Sequence, residues 1–243
     1  MVGTGDAKLV ADSTRDSYAA GAQIWKADDL WNTYKRAQIS RFVDHYCLPL
    51  VPPGAEILNV GSGGDGYAWL PPNTINVDLF VSQVEKLPLA VAADVVMLPF
   101  QDKAFDLIVC TGSVINYCSV IEAMREMRRV LKTGGFLVFD FESSASFEHV
   151  GRKQWNSAIA RIETFYGSRT EHLWVYAPRL VADLLAELRL KTQRWRSFHI
   201  ASSAMYRVTG DQGLASRCIA LDFLFRPLSF FADDHIILAQ KNA

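Results

Sequence analysis

The chain has 243 residues, enough for one α/β domain with a sizeable core. Half of the residues are hydrophobic, which excludes a disordered chain, and a formal net charge of −1 leaves no global field to draw it onto nucleic acid. No apolar run is long enough to span a membrane, no secretory leader is visible, and Cys47, Cys110, Cys118 and Cys218 lack paired or zinc-site spacing, all of which fits a reducing cytoplasm.

Residues 1–16 are polar and read as a flexible tail. From Ser17 to Cys47 apolar residues recur at three- and four-residue steps, as in helices, and Pro49, Pro52 and Pro53 close this N-terminal cap at about residue 50. Ile57 to Val60 is an apolar run that breaks into Gly61-Ser62-Gly63-Gly64-Asp65-Gly66. A buried parallel strand turning into a nucleotide-binding loop has this pattern, because glycine allows both a tight turn and a close ligand. Pro71 and Pro72 leave room for only a short helix after the loop, and Asp65 either caps it or offers a carboxylate to a ligand.

A second strand ends at Asp78, about 20 residues past the loop, where an acid can hold ribose hydroxyls. A third ends at Asp94, and Phe105 to Cys110 is a fourth. Ile121 to Leu131 reads as a helix stopped by the Gly134-Gly135 pair, with Arg125, Arg128, Arg129 and Lys132 complementing its dipole. Phe136 to Phe141 is a fifth strand.

These pieces, "NVGSGGDG", "NVDLF", "AADVVMLPFQDKAFDLIV" and "RRVLKTGG", occur in this order across residues 55–142. Together they resemble a class I S-adenosylmethionine-dependent methyltransferase. The resemblance implies a Rossmann-like seven-stranded α/β sheet, its seventh strand antiparallel at the far end, with helices on both faces. It implies S-adenosylmethionine as cofactor and S-adenosylhomocysteine as product. Asn59, Gly61, Ser62 and Gly63 would then border the cofactor's amino-acid end. Asp78 and Leu79 would border the ribose, Asp94 and Val95 the adenine, and Thr111 and Gly112 the methyl group. The chain departs from the family at Asn59, where an acid is usual, and at Asp65, where a glycine is usual. Gly61, Gly63 and Gly66 also satisfy G-x-G-x-x-G, so a nicotinamide oxidoreductase stands as a rival, weakened by the lack of a long helix for a pyrophosphate. An inactive cofactor-binding module is a third alternative.

The whole chain reads as one domain, with residues 143–176 covering the substrate. Within that segment 152–166 fits a helix or an extended arm, and 171–176 a strand. A helix follows Pro178, a sixth strand covers Thr192 to Phe198, and a seventh His235 to Lys241. Between the last two lies an insert, 200–234, whose apolar stretch Leu214 to Phe231 suits either a homodimer contact or a helix packed on its own domain.

The expected activity is in-line methyl transfer to a small-molecule acceptor, without nucleic acid. Tyr18 and Trp25 in the cap, Asn116 after the fourth strand, Glu142 after the fifth, and His149 are the candidate substrate contacts. His172 and Tyr117 are the candidate catalytic groups, since an oxygen or nitrogen nucleophile needs a nearby base. No metal site is expected.

Overall fold

The computed structural model describes residues 9–10, 12–14, 29–166 and 169–242. Tyr18 and Trp25, with most of the tail and the first part of the cap, lie outside the described residues.

Seven strands form one sheet in the order β3-β2-β1-β4-β5-β9-β8. They are β1 (Ile57–Val60), β2 (Ile75–Asp78), β3 (Ala90–Ala92), β4 (Phe105–Cys110), β5 (Leu131–Glu142), β8 (Leu190–Phe198) and β9 (Asp234–Lys241). The pairs from β3 to β5 are parallel, and β9 runs antiparallel to both β5 and β8. The antiparallel strand is thus wedged inside the sheet rather than at its far end, and β8 forms the edge. Strand order reverses between β1 and β4, and open α/β sheets bind ligands above such a switch point.

Alternation along each strand builds two cores. Ile108 and Cys110 point to one face, packed under α3 (Val120–Val130) and α4 (Pro178–Glu187). Leu107 and Val109 point to the other, under α1 (Leu30–Tyr46). In α3 the buried residues Val120, Ala123, Met124, Met127 and Val130 follow the helical repeat, so the core face is written directly in the sequence. In α1 Asp29 caps the first turn, its carboxylate accepting from the Asn32 amide at 3.0 Å. Trp31, Lys35, Ile39, Phe42 and Val43 of α1 are buried.

Several local expectations change. No helix follows the glycine loop: residues 61–74 form turns, and Asp65 instead accepts from the Tyr67 amide at 2.8 Å and pairs with Arg36. Helix α3 does not end in a left-handed cap. Leu131 is already extended at φ −76°, ψ 134°, and Gly134, at φ +81°, turns the chain inside β5. The residues after β5 form a short turn segment and then a hairpin, β6 (Ile159–Tyr166) and β7 (Arg169–Tyr176). The insert is not one apolar helix. It consists of α5 (Ala201–Thr209), α6 (Gln212–Arg217) and two 3₁₀ segments of three and six residues, the second kinked at Leu228, because Gly210 and Pro227 interrupt it.

Candidate functional site

A cleft open to solvent lies above the switch point. Its described lining includes Gly61, Gly63, Asp78, Leu79, Asp94, Val95, Gly112, Val114, Tyr117 and Cys118. The loop after β1 is tied down at its base, where the Ser62 amide donates to the Val77 carbonyl at 3.0 Å. Asn59 Nδ2 donates to the Asp65 carbonyl and to Asn76 Oδ1, so the residue standing where an acid is usual still shapes the loop. Gly61 has φ +68°, and a Cβ there would lie 2.4 Å from a Val114 methyl. This glycine is therefore required by the chain's own packing as well as by the cleft it lines.

Asp78 ends β2. Its carboxylate accepts from the Gly63 amide at 2.7 Å and the Phe80 amide at 3.0 Å. Burial pushes its pKa up, and those amides pull it back. Asp94 stands in the turn after β3 and accepts from the Val96 amide at 3.1 Å. Leu79, Ala93, Val95, Val114 and Cys118 supply apolar walls.

The described lining thus holds two carboxylates and no lysine or arginine. Carboxylates accept hydrogen bonds from ribose hydroxyls and an exocyclic amine, and they favour a cationic ligand. They repel a pyrophosphate, and no helix N-terminus follows the loop to offset that repulsion. Ser62 Oγ and Asn59 Oδ1 are buried near the loop without a hydrogen-bond partner among the described residues, and neither residue lines the cleft. The residues present fit S-adenosylmethionine.

Of the other residues singled out in the sequence, Thr111 lies at the end of β4, its hydroxyl 3.5 Å from that of Tyr67. Asn116 is fully buried and acts as a brace, donating to the Trp174 carbonyl at 2.5 Å and accepting from the Glu142 amide at 3.1 Å. Tyr117 faces the cleft and donates to Glu171 at 3.2 Å. His172 stands beside Glu171 on β7, with Nδ1 3.0 Å from Arg161, and does not line the cleft. His149 is buried in the turn after β5, where burial lowers its pKa to about 4 and keeps it neutral.

Beside the cleft is a charged cluster that sequence reasoning missed. Lys35 projects from the apolar face of α1 and is almost fully buried. Its ammonium lies 2.5 Å from Asp234, 3.1 Å from Glu142, 3.8 Å from Asp140 and 2.5 Å from the Ser113 hydroxyl. Asp140 in turn accepts from the Gly112 amide at 2.7 Å and the Ser113 amide at 3.1 Å, holding the loop that borders the cleft. Asp234 also meets His199 Nδ1 at 2.7 Å, and His199 stacks on Trp31 with ring centroids 4.0 Å apart. His199 has φ +54°, a strained backbone for a non-glycine residue. The clue in the sequence was a lone lysine among the apolar positions of α1.

Burial pushes the Asp140 carboxyl up to about 6, with Lys35 pulling the other way. The folded state therefore binds this proton more tightly than the unfolded chain. The stabilisation is complete below about pH 4 and is lost as pH rises through about 6. Asp140→Asn keeps an acceptor for the two amides but removes the titration. The unfolding free energy of the wild type, relative to that variant, should fall by about 1.5 kcal/mol between pH 5 and pH 7.5. Urea titrations at the two pH values measure this; an unchanged difference would show that Asp140 is ionised throughout.

A methyltransferase-domain family model matches residues 58–139. The demethylmenaquinone methyltransferase of Mycolicibacterium paratuberculosis is 26% identical over 60% of this chain and 72% of its own length. The first relatives matched are covered over 30% to 72% of their lengths. Among solved structures, the [4+2]-cyclase SpnF superposes with a TM-score of 0.58 at 16% identity, covering 98% of this chain and 95% of that one. Geranyl diphosphate C-methyltransferase of Streptomyces coelicolor A3(2), solved with S-adenosyl-L-homocysteine, superposes with a TM-score of 0.56 at 14% identity, covering 86% and 78%. At these identities the structural likeness speaks for the fold, while the matched domain and the carboxylate-lined cleft speak for the cofactor. Strand order, cleft and matched domain together support a class I S-adenosylmethionine-dependent methyltransferase.

Proposed function

We propose that the protein transfers the methyl group of S-adenosylmethionine to a small-molecule acceptor by in-line displacement. The observation that carries this is the cleft above the β1/β4 switch point, with Asp78 and Asp94 in it and no described cation. The cofactor supplies the electrophilic methyl carbon; this chain's residues bind, orient and exclude water. Asp78 holds the ribose and Asp94 the adenine amine. The Gly61–Gly63 loop carries the amino-acid end, with Asn59 and Ser62 as its polar support.

The acceptor enters over the rim formed by the loop after β4 and the end of β5. The hairpin β6–β7 covers this rim: Tyr176 on it donates to the Ile115 and Cys118 carbonyls, and Trp174 and Tyr176 are buried beneath it. Tyr117 faces the cleft and is the acceptor-side group placed to hold a proton, through its bond to Glu171. His172, one residue along, is the alternative base. Glu142, held by Lys35 and the Ser113 hydroxyl, lines the other side of the approach. The relatives named above act, by their names, on demethylmenaquinone and geranyl diphosphate, and an apolar small molecule suits the walls of this site as well. The four free cysteines suit a reducing cytoplasm.

A thermal-shift series tests the cofactor. At about 100 times its dissociation constant S-adenosylhomocysteine should add about 2.7 kcal/mol, a rise on the order of 5–10 °C for a chain of this size. A shift with NAD(H) and none with S-adenosylhomocysteine would make the protein an oxidoreductase. Binding without methyl release across quinone, isoprenoid and phenolic acceptors would make it an interaction module.

A further inference from the structure

The insert between β8 and β9 turns its largest apolar side chains outward. Leu214, Leu221, Phe223, Leu224, Leu228 and Phe230 are all exposed, Phe223 by 62% and Leu224 by 60%. A loose segment would explain this, but the insert is well anchored. Buried Asp222 accepts from the Ile200 and Ala201 amides at 3.1 and 2.9 Å, Ala215 and Ser216 are buried, and Phe231 stacks on Phe147 at 4.5 Å. The outward face is therefore held in place by its own inner face. Several large apolar side chains exposed along one ordered insert mark a binding surface.

Charge indicates what it binds. Between residues 212 and 231 the exposed charges are Arg217 and Arg226, and the one acid, Asp222, is buried. The last 3₁₀ segment of the insert, Arg226–Phe231, packs against the edge strand β8. There Arg194 and Arg196 each stand 5.5 Å from the Tyr46 ring of α1. Asp222 and, more weakly, Arg41, Arg226 and Arg196 all act on the Tyr34 hydroxyl, so one buried acid and three cations lie about this ring. Among the described residues none of these arginines is in an ion pair. Apolar side chains beside unpaired arginines are the composition of a surface that sits at the headgroup level of an anionic bilayer.

We infer that this face docks the protein reversibly on an anionic lipid surface. Phe223, Leu224 and their neighbours enter the interface, and Arg194, Arg196 and Arg226 meet the headgroups. A second copy of the chain fits less well. A two-fold contact would bring the same exposed arginines toward their own copies, and the acid of the insert, Asp222, is buried and holds the Ile200 and Ala201 amides instead. No helix among the described residues is long and apolar enough to cross a membrane, and a docked face needs none.

Sedimentation of the full chain with vesicles tests this without cofactor or acceptor, so its outcome is separate from that of methyl transfer. Phosphatidylcholine vesicles serve as the neutral surface, and vesicles with about a third phosphatidylglycerol as the anionic one. Binding should appear on the anionic vesicles and weaken as salt rises. Phe223→Ser with Leu224→Ser, and separately Arg194→Glu with Arg226→Glu, should each weaken it at least tenfold at unchanged melting temperature. Absence of binding to anionic vesicles overturns the inference. So does binding by either variant that equals the wild type's. A dimer by light scattering that the Phe223→Ser, Leu224→Ser variant converts to a monomer also overturns it, because the face is then a subunit contact.

Discussion

Replacing Lys35 with methionine should destabilise the protein by about 3–5 kcal/mol, the usual cost of removing one partner from a buried ion cluster. For a chain of this size that is a fall of roughly 10 °C or more in melting temperature. The length of the side chain is preserved, so the loss is electrostatic rather than a cavity. Three carboxyls, Asp140, Glu142 and Asp234, face this one ammonium, and Asp140 and Asp234 are fully buried. Burial disfavours the ionised Asp234, yet Lys35 and His199 together hold its pKa below the usual value. Without the lysine the carboxylates must either protonate or remain charged in a dry site, and both are costly. Adding Asp234→Asn to Lys35→Met should recover part of the loss, a coupling that a double-mutant cycle reads directly. A single variant within about 1 kcal/mol of the wild type would show that the cluster is hydrated and contributes little.

Asp78→Ala should weaken S-adenosylhomocysteine binding by tenfold to a hundredfold or more. A carboxylate accepting from ribose hydroxyls contributes roughly 1.5–3 kcal/mol per charged hydrogen bond. Read from sequence, this acid has only a ligand to hold, so the unliganded fold should survive its loss intact. The structure changes that expectation. Asp78 also accepts from the Gly63 and Phe80 amides, so the apo protein should lose about 1–3 kcal/mol as two backbone donors are left unmet. Calorimetric titration and a urea melt on the same variant separate the two effects. Unchanged affinity with lowered stability would reduce Asp78 to a loop brace.

The parts of the molecule visible in the sequence are those whose signals are local. Ile57 to Val60 reads as a buried strand because three of its four positions are apolar, and all four are buried. The Gly61 turn, Asp78 and Asp94 follow from short spacings. The cleft lining includes Gly61, Gly63, Asp78, Leu79, Asp94, Val95, Gly112 and Tyr117, all of them singled out beforehand. What stayed hidden depends on partners far along the chain. Lys35 is a charged residue on an apolar helix face, and only the tertiary fold brings Asp140 and Asp234 to it. His199 and Asp234 meet across the whole insert. The place of β9 could not be read from its own residues, since an apolar strand is equally content at an edge or between two neighbours. Asp65 looked like a helix cap because capping and turn geometry favour the same residue types.

The insert grows from a very narrow neck. Phe198 and Asp234 are register partners at the adjoining ends of β8 and β9, and His199 clasps Asp234 one step further out. Everything between is in effect one long hairpin connection, and the entropy of closing such a connection rises only with the logarithm of its length. That stretch can therefore be lengthened, shortened or rewritten at small thermodynamic expense, while the strands below it keep their register. The cofactor cleft lies toward the other half of the sheet, and no described residue of the connection lines it. A fold built this way can retain one chemistry and change where, or on what, it is applied by altering a single loop.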